Sequence, residues 1–331
     1  MIARVGVGLI LILGISSVGW TQTRNFFRIE KKLNVAIFVF PGMQIIDYAG
    51  PYEVFGQARS NVYTVGEKLD PIQTAFGQTI TPKYTFENAP KPDVLVLPGG
   101  DGVVDQMTNS AVIKWIQVTA RDAQQTLTVC TGSFLAAKAG LLEGLSATTF
   151  YGALDFLPEQ APHTKVVWDK KYVDSGKIIT TAGLSSGIEG SLYTVSKLLG
   201  MGSAQAVALN MEYDWHPDST YARAMFPDLS IPPELSGALP KGFYLLNSSG
   251  DRDHWMIAVR ISGSEGALKV LENINTSLIK SGKWIRSASK DGDNTSRWNF
   301  TDRLGAKWQS VVSVKPGQGS DLLFALKMDR I

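Results

Sequence analysis

Two stretches of this chain are apolar on both faces, a third is a short β-branched run, and all three stop abruptly at small residues. NVAIFVF (34–40) meets Pro41-Gly42, DVLVLP (93–98) meets Gly99-Gly100, and TLTV (126–129) meets Cys130-Thr131-Gly132. A strand apolar on both sides needs cover on both sides, and a helical stretch follows each run. Those stretches are IIDYAGPYEVFGQA, NSAVIKWIQVTARDA with Asn109 or Ser110 as its cap, and GSFLAAKAGLLEG. Further strands are expected at VYTVGE near residue 63 and at KIITTAG (177–183), and further helices at IEGSLYTVSKLLG and AQAVALNMEYD. Strand alternating with helix in this way predicts an α/β fold, a doubly wound parallel sheet between helical layers.

Near residue 215 the pattern ends. HPDSTYARAMFPDLSIPPELSGALPKG holds five prolines and no periodicity, so residues 216–241 read as a Pro-rich linker or wrapping segment. Residues 242–331 form a second unit, a small α+β domain whose role the residues do not reveal. FYLLNSSGDRDHWMIAVRIS predicts two strands about a Ser-Gly-Asp turn, and SEGALKVLENINTSLIKSG an amphipathic helix capped by Ser264. KWIRSAS, TSRWNFTD, KWQSVVSVKPG and SDLLFALKM alternate like strands of an antiparallel sheet.

The 331 residues are 44% hydrophobic and 19% charged, with a net charge of +2. That length and apolar content support one large core or two ordinary ones. So small a charge gives no basic field for nucleic acid. A single cysteine excludes an internal disulfide. At the N-terminus, MIAR is followed by the uncharged VGVGLILILGISSVGW, which falls short of the roughly 20 residues of a membrane-spanning helix. Ser17 and Gly19 place small residues at the spacing of a cleavage site. Residues 1–22 therefore read as a signal peptide or an uncleaved membrane anchor, and the mature protein as exported, periplasmic or extracellular.

Cys130 stands where a buried strand gives way to a helix. It is either a small buried hydrophobe or a presented nucleophile. In the second case the helix N-terminus is expected to lower the energy of its thiolate. Asp47, alone among apolar residues after the first strand, is either a surface helix cap or a carboxyl aimed into the same crevice, where it can shuttle a proton. Gly99 and Gly100 supply exposed amides at the carboxyl end of their strand, where ligands of such sheets bind.

FPGMQIIDYAGPYEVF, DVLVLPGG, VCTGSFLAAKAGLLEGLSATT and TTAGLSSGIEGSLYTVSKLLG, in this order and spacing, resemble the PfpI-type branch of the class I glutamine amidotransferase-like superfamily. The resemblance covers residues 33–215. Within the branch it is most similar in pattern to isonitrile hydratase and to the amidase-like N-terminal domains of AraC-type regulators. It implies a flavodoxin-like sandwich, a homodimer, and a cysteine at a nucleophile elbow. By position, Cys130 matches the nucleophile, Asp47 the essential acid, Thr131 the residue that follows the nucleophile, and Gly100 the oxyanion-binding amide.

Two departures stand against the pattern. The family commonly reads ATTHW after the elbow helix; this chain reads ATTFY, with Phe150 in place of the histidine. His163, His216 and His254 lie in unrelated contexts, which weakens Cys–His chemistry and leaves a Cys–Asp pair. The second departure is the C-terminal unit, which stands where regulators carry a DNA-binding domain. Transcription control is excluded. Tyr193 and Trp215 read as core, and Glu189 as a first-turn acid outside the site. Asp251, Asp253 and His254 read as turn chemistry, with no ligand spacing for a metal.

The chain thus reads as an exported cysteine-dependent enzyme with neither metal nor cofactor. It is expected to add water to a small C–N substrate, as isonitrile hydratase does, or to hydrolyse a small amide. The alternative is a non-catalytic ligand-sensing or thiol-based stress-response module with the C-terminal unit as its interaction surface.

Overall fold

The computed structural model describes residues 31–239, 242–262, 265–288, 292 and 294–331. The N-terminal segment read as a signal peptide or anchor lies outside them, as does Ser264.

The three runs become the middle of a seven-stranded sheet. In chain order its elements are β1 (Asn34–Phe38), α1 (Ile45–Gln57), β2 (Asn61–Gly66), β3 (Tyr84–Thr85), β4 (Val94–Leu97), α2 (Val103–Thr108), α3 (Ser110–Asp122), β5 (Gln125–Thr128), α4 (Gly132–Lys138), β6 (Tyr172–Ser175), β7 (Ile178–Thr181), α5 (Ser186–Leu199) and α6 (Met201–Asn210). The strand order is β6-β7-β5-β4-β1-β2-β3. Every pairing is parallel except that of the edge strand β6 with β7. Val35 pairs with Val62 on one side and Val94 on the other. The chain thus leaves β1 in one direction and returns to its opposite flank with β4. That reversal opens a crevice at the carboxyl ends of β1 and β4.

The helices follow the sequence with instructive differences. Asn109, not Ser110, caps α3: its side chain accepts from the N–H groups of Ala111 and Val112. Val112, Ile116 and Ala120, four apart, turn one face of α3 to the core. The elbow helix is shorter than GSFLAAKAGLLEG promised. It stops at Lys138 because Gly140 adopts φ 76°, with its N–H on Ala137 O and that of Leu141 on Ala136 O. That reciprocal pair closes the last turn of α4.

Among the described residues the second unit is a six-stranded antiparallel sheet with one helix. Its elements are β8 (Phe243–Gly250), β9 (His254–Ile261), α7 (Ala267–Lys280), β10 (Trp284–Arg286), β11 (Thr295–Thr301), β12 (Lys307–Pro316) and β13 (Leu322–Arg330), in sheet order β8-β9-β13-β12-β11-β10. Val270, Ile274 and Leu278 of α7 share its core with Trp298, Trp308 and Phe324. At the β8–β9 turn Asp251 Oδ1 accepts from the N–H groups of Asp253 and His254, and His254 Nδ1 lies 2.8 Å from Asp329 Oδ1. This is the turn chemistry expected there.

The Pro-rich segment wraps rather than hangs free. Phe226 and Leu235 are buried in the second core. Arg223 pairs with Asp228 and lies over the ring of Tyr151 in the first unit. Arg303, in the β11–β12 turn, reaches back to Asp155 at 3.3 Å and stacks over Trp168 at 4.3 Å.

Candidate active site

The elbow forms because three backbones crowd together at the crevice. Cys130 has φ 56°, a left-handed conformation that costs a non-glycine residue energy and that surrounding bonds must hold. Its N–H donates to Ala182 O at 3.1 Å, and its carbonyl accepts from the Thr149 hydroxyl at 2.9 Å and the Ser133 hydroxyl at 3.3 Å. Gly99 lies so near that a Cβ there would stand 2.6 Å from Thr131 N and Oγ1. No side chain fits.

Asp47 is not a surface cap. It lies in the first turn of α1, fully buried, and its Oδ2 accepts from the Gly99 N–H at 3.1 Å. The loops that bring this about are themselves tied: Gln44 N–H donates to Gly99 O at 2.9 Å. Asp47 Oδ1 is buried with no hydrogen-bond partner among the described residues. Burial pushes the carboxyl up to about 7, while the Gly99 N–H, the Cys130 thiol and the Leu184 N–H pull it back. The crevice therefore brings Asp47 and Cys130 together.

The thiol does not behave as the helix-terminus reasoning anticipates. Cys130 is buried, and burial pushes its thiol up to about 12; the nearby Asp47 charge adds to the effect. The Thr131 N–H, the Leu184 N–H and the Thr131 hydroxyl oppose it without prevailing. A seven-residue helix offers a weak terminus, and desolvation outweighs it. Near neutral pH the thiol is protonated.

The two glycine amides also have another occupation. The Gly99 N–H is bonded to Asp47 and the Gly100 N–H to Thr131 Oγ1 at 3.0 Å. They fix the acid and the threonine instead of standing open as oxyanion donors. The donors that face the sulfur are those of Thr131 and Leu184. Leu184, at φ 55° between β7 and α5, is the residue sequence reasoning missed. A peptide N–H leaves no mark in a sequence, and only the neighbouring Gly183 hinted at a turn.

No imidazole serves the thiol among the described residues. His163 is exposed beside Glu143, and His216 is exposed beside Asp214. At the position of the family histidine, the Phe150 ring packs where a Cβ on Gly183 would meet it at 2.5 Å. Glu189 is buried but engaged elsewhere, accepting from Lys171 at 2.9 Å and from the Tyr213 hydroxyl at 3.0 Å. Tyr193 and Trp215 pack against the first core as expected.

Beside the elbow lies a cavity of ≈ 220 Å³. Thr149, Ala182 and Leu184 line it, and each also contacts Cys130 through a bond given above. Phe150, Trp168 and Tyr221–Ala224 supply further walls.

Residues 33–196 match the DJ-1/PfpI family. Isonitrile hydratase from Pseudomonas putida is 34% identical over 182 residues, spanning 55% of this chain and 78% of that protein. The HTH-type transcriptional regulator GbdR from Pseudomonas aeruginosa is 30% identical over 107 residues, 32% of this chain and 29% of the regulator. Among solved structures, a ThiJ/PfpI family protein from Pseudomonas syringae superposes with a TM-score of 0.54 at 29% identity, covering 61% of this chain and 83% of that one.

Proposed function

The chain belongs to the DJ-1/PfpI family, and on that premise we propose that it is an exported, cysteine-dependent enzyme adding water to a small C–N substrate, with an isonitrile as the type case. One observation carries the reading: a buried carboxyl with one unpartnered oxygen faces the thiol at the elbow, and its acid strength is moved to about 7. An acid of that strength donates protons well at neutral pH. The similarity to isonitrile hydratase supports the choice of substrate.

In the proposed reaction the isonitrile carbon, which carries a lone pair, takes the proton of Asp47 as the Cys130 sulfur adds to it. A C–S bond forms, and the thiol's own proton passes to the Asp47 carboxylate. The Thr131 and Leu184 N–H groups stabilise charge on the sulfur during that transfer. Water then adds to the same carbon of the thioimidate. One of its protons goes to nitrogen and one returns to sulfur as the C–S bond breaks, releasing an N-substituted formamide. One water is consumed and nothing is oxidised. Amide hydrolysis would use the same parts, with Asp47 and not a histidine at position 150 as the acid for the leaving amine.

Export through residues 1–22 and a homodimeric state belong to the same proposal; N-terminal sequencing of the mature protein and sedimentation test them. The activity test is direct. Purified protein is mixed with a simple alkyl isonitrile, and the formamide is followed by proton NMR. Cys130→Ala and Asp47→Asn are each expected to slow turnover at least about a hundredfold with the circular dichroism unchanged. Undiminished turnover in either variant overturns the mechanism.

Phe150 at the family's histidine position favours a second reading, a ligand-binding module that uses the fold without turnover. It predicts that ligand binds and no formamide appears.

A further inference from the structure

We propose that the cavity beside Cys130 receives the non-reacting part of the substrate and selects an aromatic or alicyclic group bearing an anionic substituent. This rests on the reading of Cys130 as the reacting centre.

Size comes first. An engineered cavity of about 150 Å³ holds benzene, so ≈ 220 Å³ accommodates a six-membered ring with one small substituent. The walls suit a ring: Phe150, Tyr151, Trp168 and Tyr221 present aromatic surface to it. Position comes next. Leu184 lines the cavity while its N–H faces both the Cys130 thiol and Asp47. Cys130 and Asp47 do not themselves line the cavity, and Leu184 is the wall that adjoins both.

Charge narrows the class. Lys170, Lys171 and Arg223 line the cavity, and among the described residues no carboxylate does. The acids that pair with two of them, Glu189 and Asp228, stand outside the lining. Lys170 has no carboxylate within salt-bridge distance among the described residues, so its ammonium is available to an incoming anion. With Lys171 and Arg223 paired, Lys170 leaves the lining one uncompensated positive charge, which favours an anion over a cation.

The wall at Tyr221–Ala224 comes from outside the family-matched region, which ends at residue 196. The second unit secures it. The Arg303 guanidinium covers Trp168 at 4.3 Å, and its Nη2 donates to Ala224 O at 3.4 Å. Selectivity at this cavity is thus a property of this chain's own extension.

The test separates binding from chemistry. The full-length Cys130→Ser protein is titrated calorimetrically with benzoate, benzamide and benzylammonium. Benzoate is expected to bind at least about tenfold more tightly than the other two. Lys170→Glu, at an exposed position, should erase that preference, and Ala222→Leu should weaken all aromatic binding by narrowing the cavity. Equal binding of benzoate and benzylammonium, or benzoate affinity indifferent to both substitutions, overturns the proposal. So does the absence of binding at millimolar concentration. Missing isonitrile turnover with the binding pattern intact would instead refute the hydration reading and leave the pocket standing.

Discussion

Asp47 and Gly99, 52 positions apart, are joined by one bond: the Gly99 N–H donates to the Asp47 Oδ2 at 3.1 Å. It links the helix after β1 to the loop after β4, across the point where the sheet's winding reverses. The carboxyl is thereby held beside the thiol, with its other oxygen making no hydrogen bond among the described residues.

Stability should fall with pH because of this carboxyl. Asp47 in the folded chain holds its proton to about 7, whereas the unfolded chain releases it near 3.8. Between those values the folded state binds more protons, so stability present below about pH 4 is lost as the pH rises through 7. The loss is at most about 4 kcal/mol. Asp47→Asn should remove the slope and be the more stable protein at pH 8. Urea titrations at pH 5 and pH 8 measure it, and parallel curves for the two proteins would refute it.

The thiol should resist alkylation. Iodoacetamide labelling of Cys130, followed by mass spectrometry, is expected to have a midpoint above the ordinary value of about 8.5. Asp47→Asn removes a negative charge beside the sulfur and should move that midpoint down. Rapid labelling at pH 6 would show that burial does not govern this thiol.

Gly99→Ala should disturb the elbow more than the sheet. The added carbon meets backbone and hydroxyl of Thr131 at 2.6 Å, and neither end is free to move. A loss of about 2–3 kcal/mol is expected, together with loss of turnover. Chemical denaturation and the formamide assay test both; an unperturbed variant would mean that the loops are not in contact.

Arg303→Ala should loosen the wrap. The variant loses the stacking on Trp168 and the bonds to Asp155 and Ala224, worth together about 1–2 kcal/mol. Limited proteolysis should then cut between residues 216 and 226 faster than in the parent. An unchanged cleavage rate would show that the segment holds itself in place.

The sheet was legible because two of its central strands, β1 and β4, are apolar on both faces, a pattern few other environments permit. Cys130 was legible from its place at a strand end, and Asp47 from being a lone acid in an apolar stretch. The direction of the thiol's ionisation was not. It depends on how deeply both groups are buried, and sequence spacing carries no measure of depth. The glycine pattern places Gly99 and Gly100 at the crevice, but it carries no sign that Asp47 and Thr131 side chains already hold their amides. Tyr221–Ala224 escaped notice as cavity wall because nothing local in a Pro-rich segment says where it returns.

Arg303 sits in a turn of the second sheet, yet it touches both Trp168 and Ala224, two walls of the cavity beside the elbow. The turn takes no part in holding the elbow. A substitution at Arg303 can therefore alter the space next to Cys130 without touching the residues that hold the thiol. The elbow and the width of the space next to it thus depend on different parts of the chain.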